Sequence, residues 1–281
     1  MGNSDQIEYW NGEAGKRWAQ DDDTMARLLG PISEALLAHA QLDGCKSALD
    51  VGCGGGSQSL MLAQRLGETA RVLGVDISEP MLEVARRKAE TPAAGRASLE
   101  FLRADASSHA FPPGSFDLLF SRFGVMFFDD PVAAFANMRG ALLGKLAFCC
   151  WQAVKDNDWV RIPLKAALQH LPAPEPPPPD APGPFAFADP DRVKSILESA
   201  GFSNVALHPF ATTLRISEAP GLPEAVRELA RIGPVSRLLA DQPQSVLDKV
   251  FPAMEAALEP YFKEEALDLQ ASVWLVTATS P

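Results

Sequence analysis

The chain has 281 residues, 47% of them hydrophobic and 22% charged, the balance of a folded protein with a sizeable core and not of a disordered one. Lys plus Arg is 25 and Asp plus Glu is 36, so the formal net charge is −11. That shortage of cations argues against a large nucleic-acid footprint and against an anionic membrane surface as the main partner.

In chain order, residues 7–20 carry Tyr9, Trp10 and Trp18 about two helical turns apart, which predicts an amphipathic helix. The residues before it, from Met1 to Tyr9, are polar and lack the apolar run of a secretory signal, and no later stretch approaches the roughly 18 apolar residues of a membrane span. A cytoplasmic protein is therefore expected. A second helix is predicted over 24–40, with Thr24 as its N-cap.

The pattern then changes. Short apolar runs at Ser47–Val51, Arg71–Val75, Ser98–Arg103, Phe116–Ser121 and Lys145–Gln152 alternate with helical segments at Ser57–Leu66, Glu79–Glu90 and Pro131–Leu142. Strands that are apolar on both faces and separated by helices predict parallel β-α-β units in a doubly wound sheet. Cys149 and Cys150 lie adjacent in the fifth run and read as a buried strand in a reducing compartment. With Cys45 and Cys53 they form no C-x-x-C pair and no zinc spacing, so no metal is expected.

Alternation stops after Trp151. Residues 153–170 read as helical, and 172–184 hold eight prolines in thirteen residues, a stiff polyproline connector. Asp189–Ala200 reads as a helix capped by Asp189 and stopped by Gly201. Residues 205–210 suit a strand, 222–265 are mostly helical, and Ala271–Thr277 is a closing strand. The predicted fold is α/β, a seven-stranded, mostly parallel doubly wound sheet with a helical cap. Its expected divisions are N-terminal helices 1–40, a core 41–152, a cap segment and linker 153–184, a return to the core 185–211, a helical insertion 212–268 and a final strand 269–281. The N-terminal helices and the insertion are expected over the C-terminal edge of the sheet, where open α/β sheets bind ligands.

The most informative segment is ALDVGCGGG, Ala48–Gly56. Gly52, Gly54 and Gly56 follow a strand and open a helix, where glycine permits a tight turn and close backbone approach to a ligand. The spacing is G-x-G-x-G. The third glycine of the dinucleotide fingerprint would fall at Ser57. Asp50, immediately before the loop, would repel a pyrophosphate and attract an ammonium or sulfonium. Asp76 ends the second strand, twenty residues beyond Gly56, where an acid can hold both hydroxyls of a ribose. Asp105 ends the third strand and can accept from an adenine amino group.

With these residues the chain resembles the class I S-adenosylmethionine-dependent methyltransferases, in their small-molecule branch. LDVGCGGG looks like the first motif, VDIS like the ribose acid, RADA like the adenine contact, and FDLLFSRFGVMFFDDP like the fourth strand and the helix after it. The opening IEYWNGEAGKRW resembles the N-terminal helix whose aromatics close over the cofactor, and AFADPDRVKSILESAGFSNV resembles the helix and strand after the cap. One departure is ALLGKLAF, where only Gly144 stands in place of a proline-glycine-glycine turn, at the edge away from the site.

The resemblance implies S-adenosyl-L-methionine as cofactor, with S-adenosyl-L-homocysteine as product, and methyl transfer to an O, N, C or S atom of a small molecule. It implies that Asp50, Gly52, Gly54 and Gly56 hold the methionine end, Asp76 and Ile77 the ribose and adenine, and Asp105 and Ala106 the adenine edge. Ser121 and Phe123 are placed beside the methionine moiety, with Tyr9 and Trp18 in the covering helix. Trp10, Arg122, Phe127 and Trp159 are candidates for the acceptor pocket. Arg122 could pair with a carboxylate of cofactor or acceptor, or point to solvent. Among His39, His109, His170 and His208, His109 lies nearest the crevice by topology, and no base is assigned. A nicotinamide oxidoreductase and a non-catalytic protein of the same fold are the alternatives. The expected partner is a small-molecule acceptor, with no nucleic acid and no membrane, and the protein is expected as a monomer or homodimer.

Overall fold

The computed structural model describes residues 4–176, 178 and 180–281. The chain opens with four helices: α1 (Ser4–Asn11), α2 (Glu13–Gln20), α3 (Asp22–Leu28) and α4 (Gly30–His39). The alternating region follows: β1 (Ser47–Val51), α5 (Ser57–Leu66), β2 (Arg71–Asp76), α6 (Glu79–Ala89), β3 (Ser98–Arg103), β4 (Phe116–Arg122), α7 (Pro131–Arg139) and β5 (Leu142–Trp151). Then come α8 (Asp158–Ala167), α9 (Pro190–Ser199), β6 (Ser203–Ser217), α10 (Leu222–Leu229), α11 (Gly233–Leu239), α12 (Gln244–Leu258), β7 (Phe262–Lys263) and β8 (Ala266–Thr279).

The strands form one eight-stranded sheet in the order β3-β2-β1-β4-β5-β8-β6, with β7 paired to β8. The pairs β3–β2, β2–β1, β1–β4 and β4–β5 are parallel, and β8 lies antiparallel to β5. This is the mostly parallel doubly wound sheet expected from the alternation. The eighth strand is the two-residue β7, which is too short to leave a hydrophobic pattern in the sequence.

The chain divides into two compact units. One comprises 1–151, 180–209 and 273–281, and the other comprises 152–179 and 210–272. In the first unit α4 and α5 cover one face of the sheet. On the other face Phe135 of α7 packs against Phe148 of β5, Phe187 and Phe202, with ring centroids 5.7–6.3 Å apart. In the second unit the buried Asn157 fastens the chain before α8. Its side chain donates to the carbonyls of Gln152, Ala153 and Ser272, and its carbonyl oxygen accepts from the Ser272 N–H. Pro177 and Pro179 of the proline-rich connector, and Met1–Asn3 of the N-terminal segment, lie outside the described residues.

Three local expectations are corrected. The helix expected over 7–20 is two helices, broken at Gly12. The helix expected over 24–40 is also two, and Thr24 lies within α3 instead of capping it. Pro31 stands in the first turn of α4, where its missing N–H costs nothing, whereas inside a continuous helix it would remove a bond and displace a carbonyl. The strand expected over 205–210 runs from Ser203 to Ser217, and the closing strand runs from Ala266 to Thr279, so both ends of the 212–268 insertion are strand and not helix. Other punctuation follows the sequence. Asp130 caps α7 by accepting from the Ala133 N–H, Asp189 caps α9 by accepting from the Asp191 N–H, and Gly201 takes a φ of +90° after α9. Cys149 and Cys150 are fully buried in β5, and burial pushes the Cys149 thiol up to about 12, leaving it protonated and inert.

Candidate functional site

β1 and β4 run side by side in the middle of the sheet, at the point where strand order reverses. The loops that leave them open a crevice at the C-terminal edge. Gly52, Gly54 and Gly56 all take positive φ, at +66°, +54° and +76°. A Cβ on Gly52 would lie 2.6 Å from the Cα of Gly124, and a Cβ on Gly124 would lie 2.5 Å from the Val51 carbonyl oxygen. The two loops therefore meet backbone to backbone, which only a glycine on each side allows. Gly124 is a residue that sequence reading missed, although SRFG puts it one position after Phe123.

Phe123 has a φ of +66°, a conformation that costs energy in a residue with a Cβ. It is held there from both sides. Its N–H donates to the Cys149 carbonyl at 3.2 Å, and its ring stacks on Trp151 with centroids 4.3 Å apart. The buried Ser121 hydroxyl donates to the Val51 carbonyl at 2.7 Å and accepts from the Gly124 N–H at 3.1 Å. Ser121 thus ties the β1 rim to the β4 rim.

The three acids sit at successive strand ends. Asp50 is 1% exposed. Its Oδ2 accepts from the Ser59 hydroxyl at 2.5 Å, while its buried Oδ1 has no hydrogen-bond partner. Burial pushes its carboxyl up to about 7, against the lowering effect of Ser59 and of the Arg122 charge, and Asp76 adds a smaller push upward. Asp76 accepts from the Gly54 N–H and the Ser78 N–H, each at 2.8 Å, so it braces the glycine loop against the loop after β2. Burial raises its carboxyl, and the backbone donors of Ser78, Gly54 and Ile77 oppose that rise. Asp105 accepts from the backbone and side chain of Ser107 at 2.9 and 2.6 Å, which fixes the turn containing the buried Ala106. The carbonyls of Ala106 and His109 both accept from Asn137, and the His109 ring lies edge-on to Phe111.

The N-terminal helices dock on these loops. Asn11 donates to the Ile77 carbonyl at 3.0 Å and accepts from the Glu79 N–H at 3.1 Å, and the Trp10 carbonyl accepts from the Ser78 hydroxyl at 2.7 Å. The Trp10 ring meets Tyr9, Trp18 and Phe127 edge-on, at 5.3, 5.9 and 5.9 Å. These four aromatics are therefore one cluster beside the loop after β4. Lys88 of α6 pairs with Asp22 and, at 2.8 Å, with Asp23, and donates to the Ser57 hydroxyl at 3.1 Å. Asp22 lies so close to the loop that a Cβ on Gly55 would fall 2.0 Å from its Oδ1. Asn11, Asp22 and Lys88 were invisible to motif reading, because each works through a contact far away in the chain.

Asp50 pairs in register with Phe120, so Arg122, two residues on, shares its face of the sheet. Arg122 does not point to solvent. Its guanidinium donates to the Ser33 hydroxyl of α4 at 2.9 Å, and burial lowers its pKa, against the opposing charges of Asp50 and Asp22. Trp159 lies in the second unit, with its indole N–H on Asn157 and its ring against Gly233. Among the described residues no cluster of His, Cys, Asp and Glu could hold a metal ion, and no helix is long and apolar enough to cross a membrane.

Comparison with known proteins agrees with this arrangement. A family model described as a methyltransferase domain matches residues 49–145, which run from β1 into β5. The aklanonic acid methyltransferase of Streptomyces sp. (strain C5) is 33% identical over 126 residues, covering 44% of this chain and 53% of that one. This chain thus spans about half the length of that relative. A demethylmenaquinone methyltransferase of Staphylococcus saprophyticus is 27% identical over 173 residues, covering 58% of this chain and 72% of that one. Among solved structures, a putative methyltransferase from Bacillus halodurans covers 90% of this chain and 100% of its own at a TM-score of 0.55 and 19% identity, a likeness of fold. Residues 49–145 thus match a methyltransferase domain, and the strand order and glycine loop around them agree with that match.

Proposed function

We propose that the protein transfers a methyl group from S-adenosylmethionine to a small-molecule acceptor. The observation that carries this reading is the contact of Gly52 with Gly124 at the reversal of strand order, flanked by the buried, half-satisfied carboxylate of Asp50. A buried carboxylate oxygen without a donor fits a cationic ligand and opposes a pyrophosphate, which disfavours the nicotinamide alternative.

In this reading Asp50 and the glycine loop hold the methionine end. Asp76 and Ile77 hold the ribose, and Asp105 and Ala106 the adenine. Ser121 and Phe123 set the position of the β4 rim. Arg122, held by Ser33, offers a charge to a carboxylate. When bound, the sulfonium supplies a methyl group on a neutral, intrinsically good leaving group. The chain's own task is then alignment and exclusion of water. The aromatic cluster of Tyr9, Trp10, Trp18 and Phe127 serves exclusion, and Trp10 and Phe127 also suit contact with an apolar acceptor. A base is required only where the acceptor must lose a proton, and His109 is the candidate to examine.

The two named relatives act, by their names, on aklanonic acid and demethylmenaquinone, which supports phenolic and quinol-like acceptors as the first panel. The test is incubation with S-adenosylmethionine labelled in its methyl group against such a panel. Label is expected in at least one acceptor, and its appearance should stop in an Asp76→Ala variant. Label transfer that persists unchanged in that variant contradicts the site assignment.

A further inference from the structure

The crevice and its covering helices leave one sequence feature without a role, the proline-rich segment 172–184. Its end does more than connect. The chain re-enters the first unit at Asp180, and from there it is fastened to that unit repeatedly. Asp180 pairs with Arg192 of α9, and the Gly183 N–H donates to the Met126 carbonyl at 3.1 Å. Phe187 is buried, with its ring against those of Phe135 and Phe148 and its carbonyl accepting from the Cys150 thiol at 3.6 Å. The Ala188 carbonyl accepts from the Trp274 indole at 3.0 Å. Within the segment the Ala186 N–H donates to the Gly183 carbonyl and the Ala188 N–H to the Phe185 carbonyl, so it is a folded strap and not an extended tether.

The Gly183 contact joins this strap to the rim of the crevice. Gly124–Phe127 form a 3-10 turn directly after Phe123. The last carbonyls of so short a turn have no partner within it and take donors from elsewhere. Met126 is 2% exposed, so its carbonyl needs a protein donor, and Gly183 supplies one. Pro182 and Pro184, on either side, have no N–H to give. A Cβ on Gly183 would meet nothing within 4 Å, so the position uses the N–H of this residue and not its lack of a side chain. The other end of the turn is held separately, by Gly124 against Gly52 and by Ser121. Phe127, next to Met126, carries the ring that meets Trp10 edge-on at 5.9 Å. The turn is thus pinned to the glycine loop at one end and to the strap at the other, and the aromatic cluster meets its strapped end.

We infer that residues 180–187 seat Phe127 in the aromatic cluster and so fix one wall of the acceptor site, with the Gly183 N–H as the positioning group and a flat aromatic molecule as the ligand the wall takes. This rests on the methyltransferase reading and adds to it the outer fastening of the β4 rim. Rings in such a wall favour offset or edge-to-face contact with a flat aromatic ligand. In-line transfer depends on an acceptor held at the right distance, so a loosened wall weakens acceptor binding. Affinity for the cofactor is spared, because Gly52, Gly124 and Ser121 hold the glycine-loop end of the turn without the strap.

The test uses calorimetry with S-adenosylhomocysteine, and then with 2-naphthol added to the protein saturated with it. Gly183→Pro removes the N–H, and Gly183→Ala keeps it. Gly183→Pro is expected to bind 2-naphthol roughly tenfold more weakly than the wild type and S-adenosylhomocysteine within about twofold, whereas Gly183→Ala should match the wild type for both. Should Gly183→Pro fail to fold, NMR of the wild type provides the readout: the Gly183 amide signal of the saturated protein is expected to shift when 2-naphthol is added. Equal losses for both ligands, unchanged 2-naphthol binding in Gly183→Pro, an equal loss in Gly183→Ala, an amide signal indifferent to 2-naphthol, or a saturated wild type that does not bind it would overturn the inference. A wild type that does not bind S-adenosylhomocysteine would instead overturn the methyltransferase reading, so the two failures are distinguishable.

Discussion

In the proposed function Asp50 is the residue that meets the ammonium of the cofactor. Unfolded, its carboxyl titrates near 4, and in the fold burial raises it to about 7. Between those values the folded state holds a proton that the unfolded chain has lost. Stability from this group is therefore greatest below about pH 4, falls as pH rises towards 7, and stays at its lowest above that. Bound ammonium favours the carboxylate and lowers its pKa again, so cofactor affinity should rise between pH 5.5 and 8. Asp50→Asn keeps the shape and removes the titration. The variant is expected to unfold at the same or a higher temperature at pH 8, and to bind S-adenosylhomocysteine more weakly with little pH dependence. Calorimetry across that range measures both, and parallel pH profiles for the two proteins would contradict this account.

At the scale of elements, α1–α3 dock through the aromatic cluster and through polar contacts, among them Lys88, which reaches Asp22, Asp23 and Ser57. Lys88→Met keeps most of the stem and leaves the buried Asp22 without its cation, which should cost about 1–3 kcal/mol. Hydrogen exchange is expected to quicken in residues 4–28 and not in β1 or β4, and S-adenosylhomocysteine should dissociate faster. Protection that is unchanged across α1–α3 would show that the aromatic cluster holds them alone. Elements also mark the limit of sequence reading. Strands apolar on both faces were legible because a parallel sheet buries both. β6 was half hidden because it lies at the sheet edge, where alternate residues face outward and Thr212, Thr213 and Arg215 interrupt the apolar run around buried Leu214 and Ile216. Pro209 within it is tolerated for the same reason, since an edge strand leaves some N–H positions unpaired. The breaks at Gly12 and Gly30-Pro31 are written in the sequence as glycine and proline punctuation inside a longer apolar period.

Across the whole chain, legibility followed locality. The glycine loop and the three acids were readable because each lies within a few residues of a strand end, and topology brings strand ends together. Gly124, Ser33, Asp22 and Lys88 were not, because their partners are 31–89 residues away or across the crevice. The net charge of −11 also acquires a partial meaning, since Asp50, Asp76 and Asp105 stand at one sheet edge and suit a cofactor without phosphate. That central claim is tested most directly by titrating the wild-type protein with S-adenosylhomocysteine and, separately, with NADH in a calorimeter. Saturable one-to-one binding of S-adenosylhomocysteine, with no heat from NADH, is the result predicted; binding of NADH alone would contradict it.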